Sequence, residues 1–236
     1  MHENYDLTPV VLLATIHNGD RFRSSNAKEY TERLRMLLEE IQPDVVCSEL
    51  SPEQLRGDAT CECKPEYPEV IIPFCSERNI PIVPIQPDVK TGDAVERDLA
   101  EAGSKLDPAG RARIDSLEQL ECSIVDRLAE ILRQPTGLDM IQMRVLDLLL
   151  IEPLYQLYSE FSNQKVQALW EEWNQHFLRS ILDAVNLSRN KRILATVGWA
   201  HKYWLWNHLS KRNDIRLLDL HSFRQFCGES PSSSDS

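Results

Sequence analysis

The spacing of apolar positions changes along the chain, and the changes divide it. Residues 9–16 form one continuous apolar run, Pro-Val-Val-Leu-Leu-Ala-Thr-Ile. A run without alternation predicts a strand buried on both faces. Asn18-Gly19-Asp20 reads as a turn, and Asn26 with Glu29 as a helix cap and its box partner. Ala27, Tyr30, Leu34, Leu37, Leu38 and Ile41 then recur at helical spacing. Pro43-Asp44 ends that helix, and Asp44–Ser48 reads as a second short strand ending at Glu49. A β-α-β unit of this kind favours parallel strands joined by a right-handed crossover. Residues 51–65 read as loop and 70–78 as a short helix. Ile80–Ile85 reads as a third strand whose prolines restrict its pairing, closed by Gln86-Pro87-Asp88.

From about Ala94 to Leu187 the period is helical almost throughout. Ile114, Leu117, Leu120, Ile124, Leu128 and Ile131 form one stripe, which Pro135-Thr136-Gly137 interrupts. A second helix starts at Leu138 and bends or restarts at Pro153. A third carries Val166, Leu169, Trp170, Trp173, Phe177, Ile181 and Val185, its tryptophans read as core. The strand pattern returns at Ile193–Val197. A helix follows from Lys202 to Arg212, then a last strand over Ile215–Leu220, ending at His221. The expectation is an α/β fold: a small, mostly parallel sheet built from two β-α halves with a helical insertion, or cap. Residues 1–92 form the N-terminal half, 93–188 the insertion and 189–228 the C-terminal half. Residues 229–236, mostly serine, form a disordered tail.

Composition narrows the functional classes. The chain has 236 residues, enough for one good core. It carries 37 acidic against 26 basic residues, a net charge of -11, and no Lys/Arg cluster. That balance argues against binding nucleic acid through its phosphates, and against anionic membranes. The start, Met-His-Glu-Asn-Tyr-Asp, is polar and acidic where a secretion signal is basic and then apolar. No apolar run approaches the roughly 20 residues of a membrane helix. The richest, Val145–Tyr158, is broken by Asp147, Glu152 and Pro153. The expectation is a cytoplasmic protein acting on a small-molecule or peptide substrate. The six cysteines read as reduced thiols. Cys61-Glu62-Cys63 lacks the spacing of a zinc ribbon or redox pair.

Two segments far apart in the chain are alike. Val10–His17 and Arg192–His201 each carry Leu-Ala-Thr, a β-branched residue, and a histidine shortly after. In open α/β sheets, ligands bind outside the carboxyl ends of the strands. The residues just past the expected strands are His17, Glu49, Asp88, His201 and His221. Two or three histidines with one or two carboxylates suit Zn²⁺, Mn²⁺ or Co²⁺ with an open position for water. Such a water attacks carbonyls near neutral pH. Alternatively, Glu49 and a histidine activate water directly. A single histidine after a strand is more often structural. The doubled pattern singles out His17, His201 and Glu49, leaving Asp88, His221 and the turn residue Gly198 as supporting candidates.

These residues also carry a family resemblance. Gly198-Trp199-Ala200-His201 resembles the Gly-x-x-His signature of the TraB/Tiki family, and Ala14-Thr15-Ile16-His17 resembles its N-terminal counterpart. Glu49 stands where that family places a glutamate after its second strand. Glu172-Trp173-Asn174-Gln175, running on to Leu182, is similar to the segment before the second motif, where the family usually has Arg-Asn. The wider superfamily includes erythromycin-esterase-like and haem-binding ChaN-like proteins. The resemblance spans residues 9–220 through short motifs. It implies an α/β core of two β-α halves with a helical insertion. It also implies a site of two histidines and a glutamate, associated in Tiki proteins with metal-dependent peptide cleavage. Carried over, His17, Glu49 and His201 are metal ligands or water activators, with a divalent metal (Mn, Co or Zn) and Asn174 in support. Ala14 replaces a family glycine. Trp173 replaces an arginine, removing a cation that binds carboxylates or oxyanions. The function expected is hydrolysis of an amide, peptide or ester bond. The alternative is a non-catalytic module that binds a ligand or haem in the same cleft, its histidines serving as ligands.

Overall fold

The computed structural model describes residues 7–17, 27–60, 64–132 and 137–228. The expected turn at Asn18-Gly19-Asp20, the Asn26 cap and the Cys61–Cys63 pair lie outside them. The fold is α/β. Five parallel strands, β1 (Thr8–Thr15), β2 (Val45–Ser48), β3 (Ile82–Pro84), β4 (Ile193–Gly198) and β5 (Ile215–Leu218), form an open sheet in the order β3-β2-β4-β1-β5. β4 therefore lies between β1 and β2. It pairs with β1 from Val10↔Ile193 to Thr15↔Gly198. The two similar segments are thus neighbours, in register up to their last residues.

The continuous apolar runs have a simple cause. Val10 and Leu12 of β1 join Ile193, Ala195 and Val197 of β4 in one core cluster, while Val11, Leu13 and Leu194 point into another. Side chains alternate between faces, and here both faces are covered. The helix α1 (Ala27–Ile41) lays Leu34, Leu37, Leu38 and Ile41 on the second cluster. Each such fully buried leucine contributes about 1.5–3 kcal/mol. The first cluster is closed by Phe177, Ile181, Ala184 and Val185 of one long helix and by Leu205 and Leu209 of another.

The remaining helices follow from caps and prolines. Ser51 and Gln54 form a capping box on α2 (Pro52–Arg56), which ends on Gly57 at φ 81. The expected helix over 70–78 is a π-wound turn, Tyr67–Ile71, leading into α3 (Ile72–Arg78). The third strand is shorter than its apolar pattern. Proline cannot donate to a ladder, and β3 is an edge strand. The last strand stops at Leu218 because Asp219 instead caps the next helix, accepting from the Ser222 backbone N–H at 2.7 Å.

Between β3 and β4 run α4 (Val89–Ser104), α5 (Pro108–Leu132), α6 (Gly137–Ile141), α7 (Arg144–Leu146), a π-wound segment Asp147–Ile151, α8 (Glu152–Phe161) and α9 (Gln164–Leu187). α10 (Trp199–Leu209) follows β4, and α11 (Leu220–Gly228) follows β5. Pro153 marks a restart of the winding without a break in the helical run. It sits in the first turn of α8, where its missing N–H is tolerated and the π winding gives way to α. Among the described residues, no helix is long and apolar enough to cross a membrane.

One polar contact fixes the end of β1. β5 pairs with β1 only as far as Val11, which leaves the backbone of Ala14 open on that side. The Gln142 side chain takes the place of a strand there. Its Oε1 accepts from the Ala14 N–H at 2.7 Å and its Nε2 donates to the Ala14 carbonyl at 2.9 Å. Lys202, fully buried, donates to the Gln142 carbonyl at 2.8 Å and pairs with Asp147 at 3.2 Å. The helical segment is thereby tied to the strand end that leads into His17.

Candidate active site

β2 delivers Glu49 to the carboxyl edge of the sheet, one residue past Ser48. Its backbone N–H donates to the Thr196 carbonyl at 3.2 Å and to the Tyr67 hydroxyl at 3.1 Å. Its carboxylate is buried and fully engaged. Lys64 donates to Glu49 Oε1 at 2.9 Å, to the Glu49 carbonyl at 2.9 Å and to Gln86 Oε1 at 2.8 Å. Those three acceptors account for all three ammonium protons. The other oxygen, Oε2, accepts from the Gly198 N–H at 2.5 Å and lies 3.1 Å from His17 Nε2. His17 Nδ1 in turn meets Glu66 Oε1 at 2.6 Å. The result is a chain of alternating charge, Glu66–His17–Glu49–Lys64.

Burial disfavours charge on His17, but the adjoining Glu49 and Glu66 outweigh it and raise its pKa to about 9. His17 is therefore a cation at neutral pH. Its approach to Glu49 is close, but Nε2 has no aligned hydrogen-bond partner among the described residues. The contact is an ion pair more than a directional bond. Burial alone would raise the Glu49 carboxyl. Lys64 and His17 instead hold it well below the usual carboxylate range.

His201 behaves oppositely. It sits in the first turn of α10, and its Nδ1 is 2.9 Å from Asn174 Oδ1. The Asn174 amide is oriented by its own donation to the Trp170 carbonyl at 2.8 Å. The amide oxygen therefore faces His201, Nδ1 carries the ring proton, and Nε2 keeps its lone pair. The Trp170 ring stacks on the imidazole at 4.6 Å and 19°, and Phe177 meets it edge-on at 5.0 Å. Burial lowers the His201 pKa to about 4. Glu49 opposes that shift, while the positive charges of His17 and Lys64 reinforce it. At neutral pH one histidine is charged and the other is a neutral base.

Gly198 is a glycine for reasons of space. Its φ of -54° suits any residue. An added Cβ would stand 3.0 Å from the His17 ring and 3.4 Å from Glu49 Oε2. Glu49, Lys64, Gln86, Trp170, Trp173 and His201 line a cavity of about 480 Å³ at this edge.

The structure brings together His17, Glu49, His201, Gly198 and Asn174. It leaves out two sequence candidates. Asp88 caps α4, accepting from Thr91 N–H at 3.0 Å and Thr91 Oγ1 at 2.8 Å. β3 ends early, and Gln86 is the residue of that turn that reaches the site. His221 is exposed on α11, where Gln225 meets it at 3.1 Å. Both follow edge strands. Sequence reading missed Lys64, Glu66 and Tyr67. They lie in a proline-containing stretch with no apolar period, where charges look like a solvated loop. Trp170, read as core, lines the cavity, while Trp173 both packs against the core and lines it.

The donor set does not fit the divalent metal that the strand ends and the family resemblance imply. Among the described residues, no three His, Cys, Asp or Glu side chains stand so as to hold one. Both Glu49 oxygens already accept from protein donors. His17 carries protons toward carboxylates on both sides, and metal ligation needs that imidazole neutral. No protein-family model, curated protein or solved structure matches this chain. The family resemblance therefore rests on the motif residues alone.

Proposed function

We propose that the protein is a hydrolase of the TraB/Tiki type that cleaves an amide or ester bond with water activated by His201. The observation that carries this reading is the division of charge in one cavity. A neutral imidazole with a free Nε2 lone pair lies beside an ionised, immobilised Glu49. His201 Nε2 takes a proton as water attacks the substrate carbonyl, and the tetrahedral intermediate forms. The Glu49 charge stabilises the resulting imidazolium, and Asn174 Oδ1 holds its Nδ1–H. The imidazolium then gives its proton to the leaving amine or alcohol. Lys64, His17 and the Gly198 N–H keep Glu49 ionised and fixed. Because the donors do not suit a cation, this reading uses the direct His–Glu route.

The test is a panel of activated esters and amino-acid amides, assayed with wild-type protein and with His201→Gln. Hydrolysis by the wild type that falls at least a hundredfold in a folded His201→Gln supports the reading. Equal rates in the two sink it.

A second reading, a haem- or ligand-binding module, draws on the same free Nε2 beside the stacked Trp170. It expects a Soret band on haemin titration that is lost in His201→Ala.

A further inference from the structure

A larger chamber adjoins the catalytic cavity. Its volume is about 880 Å³, within the roughly 300–1,000 Å³ of small-molecule sites. Trp170 and Leu99 line both spaces, so the two share a wall. Leu106, Ile114, Tyr155 and Val166 continue the apolar wall.

The aromatic rings there do not form a cage for a cation. Tyr155 stacks on Trp170 at 5.2 Å and 11°, and His201 covers the Trp170 ring at 4.6 Å. Cation recognition needs an open ring face. The polar groups of the chamber are mostly engaged with one another. The Glu121 carboxylate accepts from the Tyr155 and Tyr158 hydroxyls at 2.8 and 2.9 Å. Glu171 accepts from the Trp204 indole N–H at 2.9 Å, and Glu118 pairs with Arg111 at 3.5 Å. With three carboxylates to one guanidinium in the lining, an anionic ligand terminus is disfavoured.

We propose that this chamber binds the uncharged acyl or alkyl chain of the substrate whose ester or amide bond is cleaved at His201. The inference rests on the hydrolase reading. It extends it by naming the substrate class: a carbonyl compound with one elongated, apolar, electrically neutral arm. Burial of that arm in the chamber supplies the affinity, and the shared Trp170 wall directs the carbonyl toward His201.

Gly103 gives a way to close the chamber. It lies in its lining, and an added Cβ there meets nothing within 4 Å. A side chain at this helical position also removes the helix penalty of glycine. Gly103→Trp and, independently, Val166→Trp are the test variants. The first readout is binding of the neutral fluorophore N-phenyl-1-naphthylamine, which needs no catalysis. Wild-type protein is expected to enhance its fluorescence, and at least one correctly folded variant to bind it tenfold more weakly or worse. Octanol is expected to displace it more effectively than octanoate. Undiminished probe binding in both variants overturns the chamber, whatever the enzyme hydrolyses. Equal displacement by octanoate overturns the neutral arm.

The second readout compares p-nitrophenyl octanoate with p-nitrophenyl acetate. Wild type is expected to favour the octanoyl ester by kcat/KM at least tenfold. The variants are expected to lose that preference, the octanoyl kcat/KM falling at least tenfold relative to the acetyl. Acetyl hydrolysis without octanoyl preference in the wild type overturns the chamber's role but leaves the hydrolase reading standing. Probe binding that the variants abolish, with neither ester hydrolysed, overturns the link to His201 and the hydrolase reading together.

Discussion

His17 Nε2 and Glu49 Oε2 lie 3.1 Å apart although their strands are not neighbours in the sheet. β4 separates β1 from β2, and the contact is made across its last residue, Gly198. The absence of a side chain there lets the two groups meet, and the Gly198 N–H joins them by donating to the same carboxylate oxygen. Gly198→Ala places a methyl 3.0 Å from the imidazole. Overpacking of this kind costs about 1–3 kcal/mol. Chemical denaturation is expected to show that loss together with reduced activity. Wild-type stability and activity in the variant would contradict the account of this turn.

Lys64 is the cation that neutralises Glu49, and both side chains are buried. Removing one partner of a buried pair strands the other, at a cost of about 3–5 kcal/mol. Lys64→Met is expected to destabilise by that order. Adding Glu49→Gln removes the uncompensated charge and is expected to restore much of the loss. Urea denaturation of the single and double variants measures this, and strict additivity of the two changes would refute the coupling.

Asn174 sets the tautomer of His201. Asn174→Leu removes the acceptor for the Nδ1 proton, and activity is expected to fall about 10–100-fold, as when a metal-bound histidine loses its orienting partner. Asn174→Asp puts a negative charge against the ring and raises the His201 pKa. The acid limb of the rate profile then moves to higher pH. An unmoved limb in a folded Asn174→Asp would remove His201 as its source.

The pH dependence of stability has opposite signs at the two histidines. The folded pKa of His17, about 9, lies above its ordinary 6.5. Its stabilisation is fully present below pH 6.5 and is lost as pH rises toward 9. The folded pKa of His201, about 4, lies below 6.5. Its contribution is present above pH 6.5 and is lost as pH falls toward 4. Glu49, held low, likewise stabilises above its ordinary value of 4.5 and loses that contribution on further acidification. Stability is expected to peak near pH 6.5, and His17→Gln to flatten the alkaline side. Thermal melts from pH 4 to 10 test it. An unchanged alkaline slope in His17→Gln would count against the cationic His17.

Much of the α/β frame is visible in the residues. β1 and β4 read as strands because both their faces are buried, which removes alternation and leaves unbroken apolar runs. Glu49 and His17 are legible in the sequence because the chain leaves the sheet at their strand ends. Lys64 and Glu66 are not, because their role comes from contacts back to the sheet edge, and local pattern carries no trace of that return. Asp88 and His221 misled for a related reason. Strand ends are equivalent in sequence, but only the ends of β1, β2 and β4 converge, and strand order is a long-range property. Trp170 looked like core because its helical spacing matches that of Phe177. Its ring is instead stacked on His201 at the cavity wall.

Two histidines just past the ends of adjacent strands differ in charge at neutral pH because two carboxylates hold one and an asparagine holds the other. Nitrogen-15 and carbon-13 NMR titration of ring-labelled histidine, assigned with His17→Gln and His201→Gln, measures it directly. His17 is predicted to stay doubly protonated until about pH 9. His201 is predicted to remain neutral, with its proton on Nδ1, down to about pH 4. Titration of both rings together near pH 6.5 would contradict the carboxylate cradle, and with it the assignment of His201 as the base.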